Sequence, residues 1–323
     1  MNAIVRHAYG GPDVLRLEDV EKPVVHDDSV LVRVRAASIN ALDWHMMRGA
    51  PLLARMGQGL RTPKAAGLGV DVAGEVEAVG TDVTELRPGD AVFGRAAGAL
   101  AEYVRGGVRS FVPKPANISF EQAAAVAVAG CTALQGLRDK GQLRPGQRVL
   151  INGGGGGVGT FTVQIAKAMG ATVTGVASTS KLGLVRSIGA DDVIDYTRED
   201  FTDGSRTWDV IVDTAGRRPL RELRRALTPK GALVVVGGDG GGNWTGGFFR
   251  GMLRGPIVSM FVGQKLGAFT AKTTKEDLQA LSELIEAGKV TPVVDRTYDL
   301  VEAADAVRYL AEGHSAGKIV VTV

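Results

Sequence analysis

The segment that most constrains the fold is a glycine-rich loop between an apolar run and a helical run. Residues 148–159 read RVLINGGGGGVG, and residues 160–169 continue with a helical pattern. The spacing Gly154-x-Gly156-x-x-Gly159 allows a tight turn, and it lets N–H groups at the start of a helix approach a pyrophosphate. We predict that this strand, loop and helix form the dinucleotide-binding turn of a doubly wound sheet.

Short apolar runs alternate with helical segments after about residue 120. The runs are Arg148–Ile151, Thr172–Val176, Asp192–Ile194, Asp209–Val212 and Ala232–Val236. Such an alternation predicts a parallel, doubly wound α/β sheet of the Rossmann type. Glycine supplies 45 of the 323 residues, about twice the usual share, which fits a fold with many tight turns.

The first 120 residues have a different pattern, with short strands separated by glycine and proline. Ser29–Ala36 alternates apolar and polar residues, and the turn Arg87–Asp90 leads into another apolar run. These signals predict a small barrel-like β domain. Two helices and a closing strand near the C-terminus are expected to return to it. We therefore predict one domain from residues 1–120 and 262–323, and an inserted Rossmann domain at residues 121–261.

Charge, cysteine and hydropathy exclude several classes of protein. The net charge is +3, from 38 Lys and Arg against 35 Asp and Glu, without a long basic run, so we expect no nucleic-acid partner. The single cysteine, Cys131, is expected to be a small buried residue, and the four scattered histidines predict no metal site. The longest apolar stretch, residues 123–134, is too short to span a membrane. A cytoplasmic location is expected.

The residues after the second strand of the predicted Rossmann domain indicate which dinucleotide binds. NAD-binding sheets place an acidic residue there to accept a hydrogen bond from the ribose 2′-hydroxyl. This chain has Ser178, Thr179, Ser180 and Lys181 instead. Hydroxyl groups and an ammonium suit a 2′-phosphate, and we therefore expect NADPH as the cofactor. Ser178 could also cap the helix that follows.

Several motifs occur together in a characteristic order. They are ASINALDWH at 37–45, GVDVAGEVEAVG at 69–80, PGDAVFG at 88–94, AGCTALQ at 129–135, the glycine loop and GADDVIDY at 189–196. In this order they resemble the medium-chain dehydrogenase/reductase superfamily, and in particular its zinc-independent quinone oxidoreductases, the zeta-crystallin-like branch. The resemblance covers essentially the whole chain. It implies a GroES-like β-barrel catalytic domain, with an inserted Rossmann domain and NADPH in the cleft.

The resemblance also implies roles for individual residues. Asn40 and His45 are the expected catalytic residues, and Asn40 would lie beside the nicotinamide. The other residues expected to bind the cofactor are Thr132, Gly155, Gly156, Gly157, Val158, Ser178, Thr179, Lys181, Tyr196, Thr214, Gly237 and Gly238. Two positions depart from the family pattern. Relatives often carry an arginine where Ser180 stands and a tyrosine where His45 stands.

Without a metal to polarise an alcohol or aldehyde, electron-poor acceptors are the easiest to reduce. We therefore expect hydride transfer from NADPH to a quinone or an α,β-unsaturated carbonyl, with Asn40, His45 or a backbone N–H stabilising the resulting oxyanion. One alternative is an alcohol dehydrogenase or carbonyl reductase acting on another small substrate. A second is a non-catalytic NADPH-binding sensor or crystallin-like protein. The resemblance further implies a homodimer.

Overall fold

The computed structural model describes residues 1–52, 55–237, 255 and 258–323. They form two compact units, one built from Met1–Cys131 and Lys272–Val323, the other from Thr132–Ala271. The α/β class predicted from the sequence is confirmed, because the first unit is a mainly antiparallel β structure and the second has a parallel sheet.

The first unit contains most of the strands. They are β1 (Asn2–Val5), β2 (Arg16–Asp19), β3 (Ser29–Ile39), β4 (Asp71–Val79), β5 (Ala91–Arg95), β6 (Tyr103–Gly107), β7 (Phe111–Pro113), β14 (Val294–Asp299) and β15 (Lys318–Thr322). Its seven-stranded sheet has the order β14-β15-β3-β4-β5-β7, and β6 also pairs with β3. The C-terminal β15 runs antiparallel to β3, so both ends of the chain build this unit.

The second unit has strands β8 (Arg148–Asn152), β9 (Thr172–Ala177), β10 (Asp192–Asp195), β11 (Trp208–Asp213), β12 (Leu227–Val235) and β13 (Lys265–Ala268). Their order is β10-β9-β8-β11-β12-β13, and every pairing between them is parallel. This is the 3-2-1-4-5-6 order of dinucleotide-binding folds, in which ligands bind beyond the carboxyl ends of the strands where the order reverses.

Nine helices lie among the described residues. They are α1 (Ala41–Arg48), α2 (Arg55–Gln58), α3 (Phe120–Ala124), α4 (Ala127–Gln135), α5 (Gly157–Ala168), α6 (Leu182–Ser187), α7 (Leu220–Arg225), α8 (Lys275–Glu286) and α9 (Ala303–Glu312). Helix α3 begins at a capping box in which Ser119 Oγ accepts from Gln122 N and Gln122 Oε1 accepts from Ser119 N. Short 3-10 helices lie at Pro12–Val14, Val108–Ser110, Thr179–Lys181 and Leu300–Glu302, and a π-helical turn at Gly136–Lys140.

Each unit has its own apolar core. The core of the first packs Val30, Val32 and Val34 of β3 against β4, β5 and helix α9. The core of the second includes Leu150, Val176 and Ile211 from its central strands. Cys131 is fully buried, as predicted for a small apolar residue. Among the described residues, no helix is long and apolar enough to cross a membrane.

One detail of the secondary structure differs from the sequence expectation. Helix α5 begins at Gly157, three residues before the predicted start, because the last glycines of the loop already take helical backbone angles. The chain passes from the first compact unit to the second between residues 131 and 132, and back to the first between residues 271 and 272. The predicted domain limits lie about ten residues earlier, at 120/121 and 261/262. The first of these two crossings falls inside helix α4. The domain limits stay predictions.

Candidate functional site

The glycine loop of the second unit leads directly from strand β8 into helix α5. Gly156 is the N-cap of α5 and has extended backbone angles, while Gly153 has a left-handed backbone with φ of 88°. The N–H groups of the first helical residues, Gly157 and Val158, have no carbonyl acceptor within the helix. They are therefore available for an anionic ligand.

The loop and the helix approach each other more closely than a side chain would allow. A Cβ added at Gly159 would lie 2.0 Å from the carbonyl oxygen of Gly153, and one added at Gly153 would lie 2.4 Å from Thr214 Oγ1. Thr214 Oγ1 in turn donates to the carbonyl oxygen of Asn152 at 2.8 Å. The glycine loop thus packs directly, backbone against backbone, on the start of helix α5, and this close packing is the role that glycine has in a dinucleotide-binding turn.

A buried polar pair lies where the strand order of the second unit reverses. Asn152 ends β8 and Asp213 ends β11, and the two are paired in register. Asn152 Nδ2 donates to Asp213 Oδ1 at 2.8 Å, which also accepts from Gly216 N at 2.9 Å. Burial raises the pKa of Asp213, although the Gly216 N–H and the Asn152 amide oppose this. This pair fixes the segment that carries Thr214, and the sequence analysis did not single it out.

The predicted 2′-phosphate residues lie at the carboxyl end of β9, next to a carboxylate that the sequence analysis missed. Asp195 ends β10 directly beside Ala177. Its Oδ2 accepts from Thr179 Oγ1 at 2.5 Å, and its Oδ1 accepts from Thr197 Oγ1 at 2.7 Å. Hydrogen bonds from Thr179 and Thr197 hold the pKa of Asp195 below its usual range. Because a hydroxyl has one hydrogen, Thr179 has none for a phosphate while it donates to Asp195.

The remaining predicted residues of the second unit lie in the glycine loop and in the segments that follow strands β9, β10 and β12. The side chain of Lys181 lies over Gly155, with its Cβ and Cδ each 3.0 Å from a Cβ added there. Ser178 Oγ is 3.3 Å from Ser180 Oγ, and Tyr196 is 51% exposed. Gly237 lies against Thr214, since a Cβ added to it would be 3.1 Å from the Thr214 carbonyl oxygen. Gly238 lies outside the described residues.

In the first unit, Asn40 belongs to a buried polar network. Asn40 is the N-cap of helix α1, and its Nδ2 donates to Asp71 Oδ2 at 3.0 Å. Lys318 Nζ donates to Asn40 Oδ1 at 2.5 Å. The network unites residues from strands β4 and β15 with the helix cap. Neither Asp71 nor Lys318 was singled out from the sequence, although Asp71 lies in a motif that carries the family resemblance.

Asp43 lies one helical turn after Asn40 and is fully buried. Its Oδ2 accepts from the backbone N of Asn40 at 2.8 Å, whereas its Oδ1 has no hydrogen-bond partner among the described residues. Burial raises the pKa of Asp43 to about 7; the Asn40 N–H lowers it, the Asp71 carboxylate raises it, and Lys318 lowers it. Asp43 thus serves as an internal hydrogen-bonding residue.

The other two predicted residues near the reaction lie on helices. His45 is half-buried on helix α1, and Thr132 is 7% exposed on helix α4. Their contacts with a cofactor or substrate stay predictions. In the described part of the chain, no three His, Cys, Asp or Glu residues are grouped so that they could hold a metal ion.

A GroES-like β unit combined with a dinucleotide-binding unit of this strand order defines an oxidoreductase of the medium-chain class. Comparison with known families agrees with this. Residues 26–116 match the alcohol dehydrogenase GroES-like domain, and residues 188–321 match a family described as zinc-binding dehydrogenase. The chain belongs to the medium-chain dehydrogenase/reductase superfamily of NAD(P)H-dependent oxidoreductases.

Three similar proteins cover nearly the whole chain. A quinone oxidoreductase of Pseudomonas aeruginosa is 35% identical over 97% of both chains. A chloroplastic NADPH-dependent alkenal/one oxidoreductase of Arabidopsis thaliana is 34% identical, over 99% of this chain and 79% of its own. A crystal structure of an NAD-dependent alcohol dehydrogenase is 30% identical over 100% of both chains, with a TM-score of 0.86.

Proposed function

We propose that this protein is a zinc-independent, NADPH-dependent reductase of quinones or α,β-unsaturated carbonyls. The observation that carries the proposal is the close packing of Gly159 on Gly153 at the start of helix α5, which is typical of a dinucleotide-binding turn. The acceptor class is supported by the names of the Pseudomonas and Arabidopsis relatives. The predicted metal-free chemistry is consistent with acceptors that need no Lewis acid.

Bound NADPH would supply a hydride from C4 of its nicotinamide ring. The protein's own part would be to stabilise the negative charge that develops on the acceptor oxygen. The Asn40 amide has a second Nδ2 hydrogen besides the one it donates to Asp71, and this hydrogen is the proposed donor to that oxygen. His45 would be a second donor, and the proton that completes the reduction would come from water.

The preference for NADPH over NADH rests on Ser178, Lys181 and Tyr196. Lys181 reaches across Gly155 and would bring its ammonium to the 2′-phosphate, with Ser178 and Tyr196 at the edges of that group. Asp195 acts against this preference in two ways. Its carboxylate repels a phosphate, and it accepts the hydrogen of the Thr179 hydroxyl, which the phosphate would otherwise accept. We therefore propose a preference for NADPH that Asp195 makes incomplete.

Oxidation of NADPH, followed by its absorbance, tests the proposed function with a panel of quinones and enones. We expect turnover with at least one class of acceptor, and a higher kcat/KM for NADPH than for NADH. Treatment with EDTA should leave the rate unchanged, since no metal takes part. Tight NADPH binding without any turnover would favour the non-catalytic alternative, whereas oxidation of simple alcohols with NAD⁺ would favour a dehydrogenase.

Replacement of Asp195 by asparagine should raise the ratio of kcat/KM for NADPH to that for NADH by roughly fivefold to tenfold. The substitution removes one negative charge beside the proposed position of the 2′-phosphate, and it weakens the hydrogen bond that Thr179 Oγ1 donates to residue 195. Steady-state kinetics with both cofactors measure the ratio. Asp203→Asn is the control, because Asp203 is exposed and accepts from Ser205 N within its own turn. An unchanged ratio in Asp195→Asn would place the 2′-phosphate elsewhere.

The homodimer and the cytoplasmic location expected from the sequence are also parts of the proposal. The family resemblance supports the dimer. Light scattering after size-exclusion chromatography tests the homodimer, and the expected mass is twice the chain mass of 33.7 kDa. Cell fractionation tests the cytoplasmic location.

A further inference from the structure

The network around Asn40 is anchored on several elements of the first unit. Asp71 Oδ2 accepts from Ser38 Oγ and from Asn40 Nδ2, each at 3.0 Å, and Asp71 Oδ1 accepts from Val128 N at 3.0 Å. Lys318 Nζ lies 3.4 Å from Asp71 Oδ2. The Asp71 carboxylate, which accepts from the Asn40 amide, thus lies on strand β4 and is held by residues of strand β3, strand β15 and helix α4.

We propose that Lys318 and Asp71 are positioning residues that orient the Asn40 amide so that Nδ2, and not Oδ1, faces the acceptor. The inference rests on the proposed function, which places Asn40 beside the reacting groups. Lys318 is 3% exposed and Asp71 is fully buried, so both act through Asn40 and not by contact with the substrate.

The two contacts of the amide permit only one orientation. Oδ1 receives the Lys318 ammonium, while Nδ2 donates to the Asp71 carboxylate. If the amide were rotated by 180°, its NH₂ group would face an ammonium and its oxygen would face a carboxylate. Both contacts would then be repulsive inside a buried site, where such interactions are strong.

This orientation determines what the amide can offer to a ligand. One Nδ2 hydrogen is used by Asp71, and the second remains as a donor. The Lys318 ammonium on Oδ1 also polarises the amide, which strengthens the N–H as a donor. A donor in a rigid, buried frame stabilises a developing oxyanion without having to reorganise. The structure thus gives Lys318 a role in the rate that does not require it to touch the substrate.

A double-mutant cycle tests the proposal, with Asn40→Ala, Lys318→Met and the double variant. We expect Asn40→Ala to lower kcat roughly a hundredfold to a thousandfold, as for the loss of one oxyanion donor. Lys318→Met should lower kcat at least about tenfold, because misorientation of a catalytic group is costly, while the KM for NADPH changes less than about twofold. The double variant should be no slower than Asn40→Ala alone.

Lys114→Met is the matched control. The Lys114 ammonium also lies in a partly buried position of the first unit, where it donates to the carbonyl oxygens of Pro115 and Ile118. This variant should keep the kcat of the wild type. If Lys318→Met does not fold, Lys318→Met/Asp71→Asn removes the unpaired buried carboxylate, and the same fall in kcat is expected. Full kcat in a Lys318 variant, or losses that multiply in the double variant, would overturn the proposal.

A second readout separates this inference from the proposed function. Turnover of the quinone and enone panel by the wild type tests the function alone. A crystal structure of Lys318→Met tests the positioning role without any turnover. We expect the Asn40 amide to turn, or to lose the bond from Nδ2 to Asp71. An Asn40 side chain unchanged in that structure would overturn the positioning role even if the wild type reduces quinones.

Discussion

Replacement of Gly159 by alanine is expected to destabilise the second unit by about 3 kcal/mol and to weaken NADPH binding at least tenfold. The added Cβ would lie 2.0 Å from the Gly153 carbonyl oxygen. The backbone fixes the position of the Cβ, and its neighbour is a backbone oxygen, so no side-chain rotation can relieve the strain. The cost therefore lies at the upper end for overpacking. Thermal unfolding and a fluorescence titration with NADPH measure the two effects.

Gly154→Ala provides the matched control in the same loop. A Cβ at Gly154 would meet its nearest neighbours, Gly175 Cα, Ile151 O and Val185 Cγ1, at 3.5 Å, which is ordinary van der Waals contact. This variant should keep the stability of the wild type within about 1 kcal/mol. If Gly159→Ala bound NADPH as tightly as Gly154→Ala does, the close approach of the loop and helix α5 would not be needed for the dinucleotide.

Asp43 should make the protein lose stability as the pH rises from about 4 towards 7. Its pKa is raised to about 7 in the folded protein, against about 4 for an unfolded chain. In this window the folded state binds a proton that the unfolded state has already released. The free energy of unfolding therefore falls by roughly 1 kcal/mol per pH unit from this group. Above pH 7 the loss is complete, and it amounts to a few kcal/mol.

Asp43→Asn should flatten this dependence, because the amide cannot lose a proton. Unfolding measured at pH 5, 6, 7 and 8 should show that the variant gains stability relative to the wild type as the pH rises. Asp195→Asn is the control. Because the pKa of Asp195 is lowered in the folded protein, its contribution to the free energy of unfolding is constant above the pKa of an unfolded carboxyl, about 4, and falls only at lower pH. Parallel pH profiles for the wild type and Asp43→Asn would show that Asp43 is ionised throughout.

Local patterns were enough to predict most of the fold. The strand, the glycine loop and the helix at residues 148–168 depend on residues that are close in sequence. The parallel order of the second unit followed from the alternation of strands and helices, because right-handed crossovers leave few other arrangements. The exact start of helix α5 did not follow, since glycine is compatible with both loop and helix.

The candidate site was only partly predictable. The glycine loop and the segment from Ser178 to Lys181 were found because their chemistry is contained in short motifs. Asp195 was missed even though it precedes Tyr196, because its proximity to Thr179 depends on the pairing of β9 with β10. A carboxylate one strand away can be recognised only if the register between the two strands is known.

The sequence by itself determined that this chain contains a dinucleotide-binding turn, since a run of glycines between a strand and a helix has few other physical uses. Only the tertiary structure decided how Asn40 is held. Lys318 lies 278 residues from Asn40 along the chain, and Asp71 lies 31 residues away. Strands β15 and β4 bring both to the helix cap, where the buried ammonium and carboxylate need each other and the Asn40 amide as partners. Such a network depends on long-range pairing that no local pattern records.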